Sequence, residues 1–229
     1  MPSPTQAWHD RRERLKRLPR HVGIIPDGNR RWADGRGLAR QEGYAAGIMP
    51  GLQLLEVGRT LGIPEASVYG FTRENTRRSR AQVEAFSRAC VDFADQAVAA
   101  GAAVRVFGDT ESRVFPEELR ALARERSTGD VRVNLLVNYS WQWDVAVGRA
   151  AGREAAPAWA EGLPLATGEV PRVELVVRWG GRRRLSGFLP LQSAYADLYV
   201  VDALWPDMEA EQFVEALEWY SAQDVTMGG

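Results

Sequence analysis

The chain has one cysteine, Cys90, two histidines, His9 and His21, and one lysine, Lys16. A lone cysteine excludes an intramolecular disulfide framework and fits a reducing compartment. Its place in a helical pattern makes it a small core residue rather than a nucleophile. His9 lies in a charged leader and His21 opens an apolar run, so the three cannot assemble a tetrahedral zinc site. No apolar stretch reaches the ~20 residues of a membrane-spanning helix, and the first residues lack the apolar core of a signal peptide. The expectation is a cytoplasmic protein. Also missing are a lysine-containing P-loop and a dinucleotide fingerprint, since the glycine pairs have the wrong spacing and follow the wrong residues. The formal net charge of −1 offers no global field for nucleic acid or membrane, so any basic site has to be local.

What is present is ordinary for one globular domain: 229 residues, 45% hydrophobic and 26% charged. All but one of the 29 basic residues are arginine. With so many alanines this reads as a coding bias, so the positions of the arginines carry more information than their number. Residues 8–18 suit a short basic amphipathic helix, more simply a solvated leader than a membrane contact. Residues 1–20 are therefore set apart as a leader, and residues 21–229 as the functional domain.

Apolar runs alternate with helical spacing along that domain. Strands are expected at His21–Ile25, Ser67–Phe71, Ala103–Phe107, Val131–Val137, Val173–Val177 and Leu198–Val201. Helices are expected over residues 45–61, 80–100, 114–126 and a closing segment through Phe213 and Trp219. The small-residue segment 150–169 reads as a variable surface connection. The alternation predicts βαβ crossovers and a mostly parallel sheet flanked by helices.

The residues that come directly after the strands carry the chemistry. The first strand is followed by Asp27, Gly28, Asn29, Arg30 and Arg31, with Arg40 a little later. The second is followed by Thr72, Arg73, Glu74, Asn75, Arg77 and Arg78, just before a helix. The fifth is followed by Arg178, Gly180-Gly181, Arg182, Arg183, Arg184 and Ser186. In an open parallel sheet the ligand crevice lies beyond the carboxyl ends of the strands. Three clusters of guanidinium groups around one carboxylate suit a diphosphate and a hard divalent cation.

These segments resemble the cis-prenyltransferase family, whose best-known members are undecaprenyl diphosphate synthases. His21 to Trp32 resembles the family's aspartate motif, and Tyr69-Gly70-Phe71-Thr72-Arg73-Glu74-Asn75 its Ser-x-Glu-Asn segment. Val177 to Gly181 with Arg184 to Phe188 resembles Arg-x-Gly-Gly-x-x-Arg-x-Ser-x-Phe. Ala194 to Tyr199 and Leu204 to Asp207 complete the match, which runs nearly the length of the chain.

The resemblance implies a homodimeric α/β enzyme with an apolar tunnel between the sheet and two helices. Its substrates are an allylic prenyl diphosphate and isopentenyl diphosphate, with Mg²⁺ as cofactor. Carried over, Asp27 and Asn75 are catalytic, Asp27 and Asp197 hold the metal, and Gly28, Asn29, Arg31 and Arg40 hold the allylic diphosphate. Trp32, Tyr44, Thr72, Glu74 and Arg78 position the substrate, while Arg178, Arg184 and Ser186 hold the homoallylic diphosphate. The expected activity is cis condensation to a short- or medium-chain product, without nucleic acid and with at most peripheral membrane contact.

The chain also departs from the family pattern. Tyr44 stands where many relatives carry His, and Thr76 replaces the aromatic after Glu-Asn. Arg182 replaces an acidic residue after Gly-Gly, and Trp141 and Gln142 replace Gly and Arg. The tail Thr226-Met227-Gly228-Gly229 lacks the arginine of Arg-x-Gly. These changes keep irregular head-to-middle coupling and allylic cyclisation open as alternatives. A non-elongating partner subunit that binds prenyl diphosphate is a further one. Phe86, Phe93, Phe107 and Leu135 are candidates for narrowing the tunnel.

Overall fold

Every residue of the first strand, β1 (His21–Ile25), is buried, as expected of an apolar run in the middle of a sheet. The computed structural model describes residues 8, 10–150 and 163–224. It contains five more strands: β2 (Glu65–Tyr69), β3 (Ala102–Phe107), β4 (Val131–Leu136), β5 (Leu175–Arg178) and β6 (Asp197–Val200). They form one sheet in the order β3-β4-β2-β1-β5-β6, and every neighbouring pair is parallel. All six carboxyl ends therefore open on the same edge. Between β1 and β5, Ile25 sits opposite Arg178; between β5 and β6, Leu175 sits opposite Asp197.

The helices are α1 (Asn29–Asp34), α2 (Glu42–Ala46), α3 (Ile48–Leu61), α4 (Arg80–Ala99), α5 (Arg120–Arg124), α6 (Trp141–Ala150) and α7 (Ala210–Ala222). The expected helix over 45–61 is two helices meeting at Gly47. Pro50 is tolerated because it falls in the first turn of α3, where its missing N–H has no intrahelical partner. The expected helix over 114–126 shrinks to a 3₁₀ turn at Glu117–Leu119 and the single turn of α5. α7 forms because Phe213, Val214, Leu217 and Tyr220 share one face at helical spacing, and all are buried.

One face of the sheet carries Ile24, Val68, Val106, Leu135 and Val177 against Leu54 and Leu55 of α3, Phe93 of α4 and Phe213 of α7. The opposite face carries Ile25, Tyr69, Phe107 and Val176 under Val170, Val173, Phe188 and Leu189. Each fully buried Leu or Phe adds roughly 1.5–3 kcal/mol, so the two faces supply most of the driving force. The second face is polar toward the amino ends of the strands. There His21 Nε2 accepts from Ser67 Oγ at 2.8 Å, and the Asn134 amide donates to Ser67 and to Glu65. Asn134 in turn accepts from Arg126 at 2.8 Å, so the buried groups satisfy one another.

The segment 150–169 is not wholly a surface connection. Leu165 and Thr167 are buried, because Asp144 holds the Thr167 backbone and hydroxyl at 2.8 and 2.6 Å and anchors this stretch. Residues 151–162 lie outside the described residues, as do His9 and the tail Thr226–Gly229. The described part of the leader docks on α7. Arg11 pairs with Glu211 and Glu218, and the Arg17 guanidinium lies 3.9 Å above the Tyr220 ring.

Candidate active site

Just past Ile25 the chain turns at Pro26, Asp27 and Gly28 to start α1. Gly28 has φ 119°, and a Cβ there would stand 2.9 Å from Leu204 Cδ2, so this turn needs glycine. The loop after β5 closes onto the same turn at Gly180. A Cβ at Gly180 would lie 2.6 Å from Arg31 Nη2 and 2.8 Å from the Asp27 carbonyl. Gly180 thus lets the β1 and β5 loops approach backbone to backbone, and Gly28 admits Leu204 from the segment after β6.

Between them lies a cleft of about 560 Å³ at the carboxyl edge of the sheet. It is lined by Asp27, Gly28, Asn29, Arg31, Arg40, Tyr44, Thr72, Glu74, Asn75, Arg78, Arg178, Arg184 and Ser186, all of them candidates from the sequence. Arg30, Asp34, Tyr69, Phe86 and Arg182 line it as well. Seven arginines face three carboxylates there, a formal +4 that calls for a polyanionic ligand.

Asp27 is the centre of this charge. Its Oδ2 accepts from Arg178 Nη2 at 2.8 Å and lies 3.8 Å from Arg182 Nε. Its Oδ1 lies 3.4 Å from Arg31, whose Nη2 also donates to the Gly180 carbonyl at 2.9 Å. Arg178 is only 3% exposed, and it is the last residue of β5 rather than the start of a loop. Its Nη1 donates to Ser186 Oγ at 2.9 Å and to the Arg184 carbonyl. Its Nε is buried without a hydrogen-bond partner. Ser186 itself has φ 54°, a strained conformation of the kind that collects at ligand sites. Tyr69 supports this corner by donating to the Ser186 carbonyl at 3.0 Å.

On the β2 side, the Asn75 Oδ1 accepts the Thr72 backbone N–H at 3.1 Å, which orients the amide at the start of a 3₁₀ turn. Thr76 donates to the Arg73 carbonyl at 2.7 Å, so this departure serves the same turn. Arg78 Nη1 donates to the Tyr44 hydroxyl at 3.0 Å, and burial lowers the pKa of its guanidinium. Arg40 is bound to Asp34 through contacts of 2.9 and 3.1 Å, which raises its own pKa and lowers that of Asp34.

Two candidates are not brought here. Trp32 faces away: its Nε1 donates to Asp207 Oδ1 at 2.7 Å and Arg36 stacks 4.3 Å above its ring. It ties α1 to the 3₁₀ turn at Trp205–Asp207. Asp197 opens β6 at the amino end of the sheet, whereas Asp27 lies beyond the carboxyl end of β1. Within one chain the two carboxylates therefore cannot share a metal ion. Arg182 had a signal in the sequence, as an arginine two residues before Arg184 in the glycine-rich loop. Phe86, named from the sequence as a candidate for narrowing a tunnel, lines the cleft itself.

A divalent cation still fits the residues present. Among the described residues no group of three His, Cys, Asp or Glu side chains assembles, so there is no all-protein cage. Mg²⁺ is commonly held by one or two carboxylates with substrate phosphates and water completing its shell. Asp27, 28% exposed toward a cleft shaped for polyanions, offers that donor set.

Known proteins match this chain along most of its length. The undecaprenyl diphosphate synthase family model matches residues 25–228. A trans,polycis-polyprenyl diphosphate synthase ((2Z,6E)-farnesyl diphosphate specific) of Thermobifida fusca is 35% identical over 230 residues, covering 93% of this chain and 81% of its own. A ditrans,polycis-undecaprenyl-diphosphate synthase ((2E,6E)-farnesyl-diphosphate specific) of Pseudomonas putida is 35% identical over 232 residues, covering 92% and 91%. The crystal structure of lavandulyl diphosphate synthase from Lavandula x intermedia in complex with dimethylallyl diphosphate superposes with a TM-score of 0.77 at 25% identity. That match covers 90% of this chain and 97% of the plant one.

Proposed function

The chain belongs to the undecaprenyl diphosphate synthase family of prenyltransferases, and from that membership we propose that its cleft ionises an allylic diphosphate and condenses it in cis with isopentenyl diphosphate. The product is a short- or medium-chain prenyl diphosphate. The observation that carries this reading is the convergence of Arg31, Arg178 and Arg182 on Asp27 in a cleft of net charge +4.

Ionising an allylic C–O bond puts negative charge on the departing diphosphate. Fixed guanidinium groups lower that barrier because their charge is already aimed where charge develops. Arg31 and Arg40 stand on the α1 side, where the allylic diphosphate is placed beside Gly28 and Asn29. Arg178, Arg184 and Ser186 stand on the β5 side, where isopentenyl diphosphate is placed. Asn75, oriented by the Thr72 N–H, is placed to steer the reacting groups or relay the proton lost after the new C–C bond forms. Mg²⁺, held by Asp27 and the substrate oxygens, would supply further neutralisation of the leaving diphosphate.

The proposal includes a homodimer. Trp141, Leu191 and Tyr195 are exposed at 46%, 36% and 72%, and the first two border a mostly apolar recess of about 450 Å³. Light scattering checks the assembly. Among the described residues no helix is long and apolar enough to cross a membrane.

The deciding experiment is mass spectrometry of products from purified protein and Mg²⁺ with dimethylallyl, geranyl or farnesyl diphosphate, each with and without isopentenyl diphosphate. Products heavier by five-carbon units only when isopentenyl diphosphate is present support the proposal. A coupled or cyclic product from an allylic substrate alone replaces it with the irregular chemistry. Binding without turnover replaces it with a partner subunit.

A further inference from the structure

Behind the polar cleft, between the sheet and helices α3 and α4, lies an apolar recess lined by Gly47, Ile48, Gly51, Cys90, Phe93 and Leu135, among others. Its volume is only about 50 Å³. An engineered dry apolar cavity of roughly 150 Å³ takes up benzene. The recess is about a third of that size, so in this arrangement it offers little room for an isoprenoid tail.

Aromatic side chains have closed it. Tyr44 and Phe86 border both the cleft and the recess, and their rings stack at 4.5 Å with planes 3° apart. Phe71 packs edge-on against Phe86 at 5.5 Å. The Arg78 guanidinium lies 5.9 Å from the Tyr44 ring and 5.6 Å from the Phe86 ring while bonding the Tyr44 hydroxyl. Deeper in, Phe93 fills the space beside Gly51, where a Cβ would stand 2.8 Å from Phe93 Cε2. Trp205 closes the wall at Gly47 and is locked by donating to the Gly47 carbonyl at 2.8 Å. Rings held by stacking, an edge contact and hydrogen bonds do not swing aside without losing those contacts.

We propose that the Tyr44–Phe86 pair, latched by Arg78, is the floor of the hydrocarbon site and restricts the allylic substrate to a five-carbon tail. Geranyl diphosphate is then at the limit and farnesyl diphosphate is excluded. This would set the chain apart from the 35% identical relatives whose names specify farnesyl diphosphate. The inference rests on the allylic diphosphate reading of the cleft.

The test is calorimetric titration of the intact chain with dimethylallyl, geranyl and farnesyl diphosphate, without isopentenyl diphosphate, so that no turnover is needed. We expect farnesyl diphosphate to bind at least about ten-fold more weakly than dimethylallyl diphosphate, a discrimination of the size a misfitted apolar group produces. Phe86→Ala, and the gentler Phe86→Leu in case the first does not fold, should erase that ratio. Phe107→Leu is the control, because Phe107 lies on the opposite face of the sheet; it should leave the ratio unchanged. Equal binding of all three tails by the wild type overturns the floor while leaving the cleft reading intact. So does an unchanged ratio in both Phe86 variants, or relaxation by Phe107→Leu to the same extent. Failure of all three diphosphates to bind overturns the cleft reading, and the floor with it.

Discussion

Arg178 and Asp27, 151 residues apart in the chain, meet at 2.8 Å across the β1–β5 boundary, and Arg178 is 3% exposed. The contact has two sides. Asp27 neutralises a guanidinium that the fold has withdrawn from water, and Arg178 holds the carboxylate facing the cleft. Desolvation makes such a pair expensive to break from either end.

Asp27→Asn should therefore affect both catalysis and stability. The three arginines around it would lose their shared counter-charge, with an expected cost of about 2 kcal/mol in urea denaturation. Turnover should fall on the order of 10²–10³-fold, the usual cost of one preorganised electrostatic contact in a transition state. A double-mutant cycle with Arg178→Ala should show strong coupling in both readouts. Additive effects would mean that the contact is incidental.

Arg182 stands 3.8 Å from Asp27 and half exposed, in a loop where the family pattern has an acidic residue. Its position suits it to the homoallylic diphosphate. Arg182→Ala should raise the KM for isopentenyl diphosphate about 10-fold, the size of one charged hydrogen bond, with kcat little changed. The KM for the allylic substrate should stay put. An equal rise for both substrates would place Arg182 in the general field of the cleft instead.

His21 is buried against Ser67, with Nδ1 3.2 Å from the Pro171 and Arg172 carbonyls. Burial lowers its pKa below the ordinary 6.5, outweighing the opposing pull of Glu65 and Glu174. Its stabilising contribution is complete above pH 6.5 and is lost as the pH falls, because the unfolded chain takes up the proton first. Wild type should lose stability relative to His21→Gln between pH 7.5 and 5, at no more than about 1.4 kcal/mol per pH unit. Urea midpoints across that range decide it, and parallel curves would count against the assignment.

Cys90 borders the closed recess and is buried, and burial pushes its thiol up to about 12. The thiolate is the reactive form, so native protein should resist alkylation at pH 8 and react only on unfolding. Mass spectrometry after iodoacetamide treatment measures this. Rapid labelling of the native wild type would show the recess to be open.

Much of the fold was legible in the chain because the relevant signals are local. Strand and helix periods mark the alternating elements, and α4 and α7 appear where their apolar spacing places them. The strand ends name Asp27, Asn75 and the arginine loop, since each cluster directly follows an apolar run. Side-chain direction at a distance was not legible. Trp32 shares the aspartate motif yet turns to Asp207, and Phe107 resembles Phe93 in sequence yet packs on the other face.

By itself the sequence determined a parallel α/β domain with one carboxylate and several guanidinium groups at its strand ends, because short-range periodicity dictates where strands begin and stop. The tertiary structure alone decided the strand order, which seats β5 beside β1 and brings Arg178 to Asp27. That order and register also leave Asp197 at the far end of β6. Only packing decided that Tyr44 and Phe86 stack to close the apolar recess. Strand pairing and ring stacking join residues that are far apart in the chain, and their energy depends on neighbours that no local pattern names.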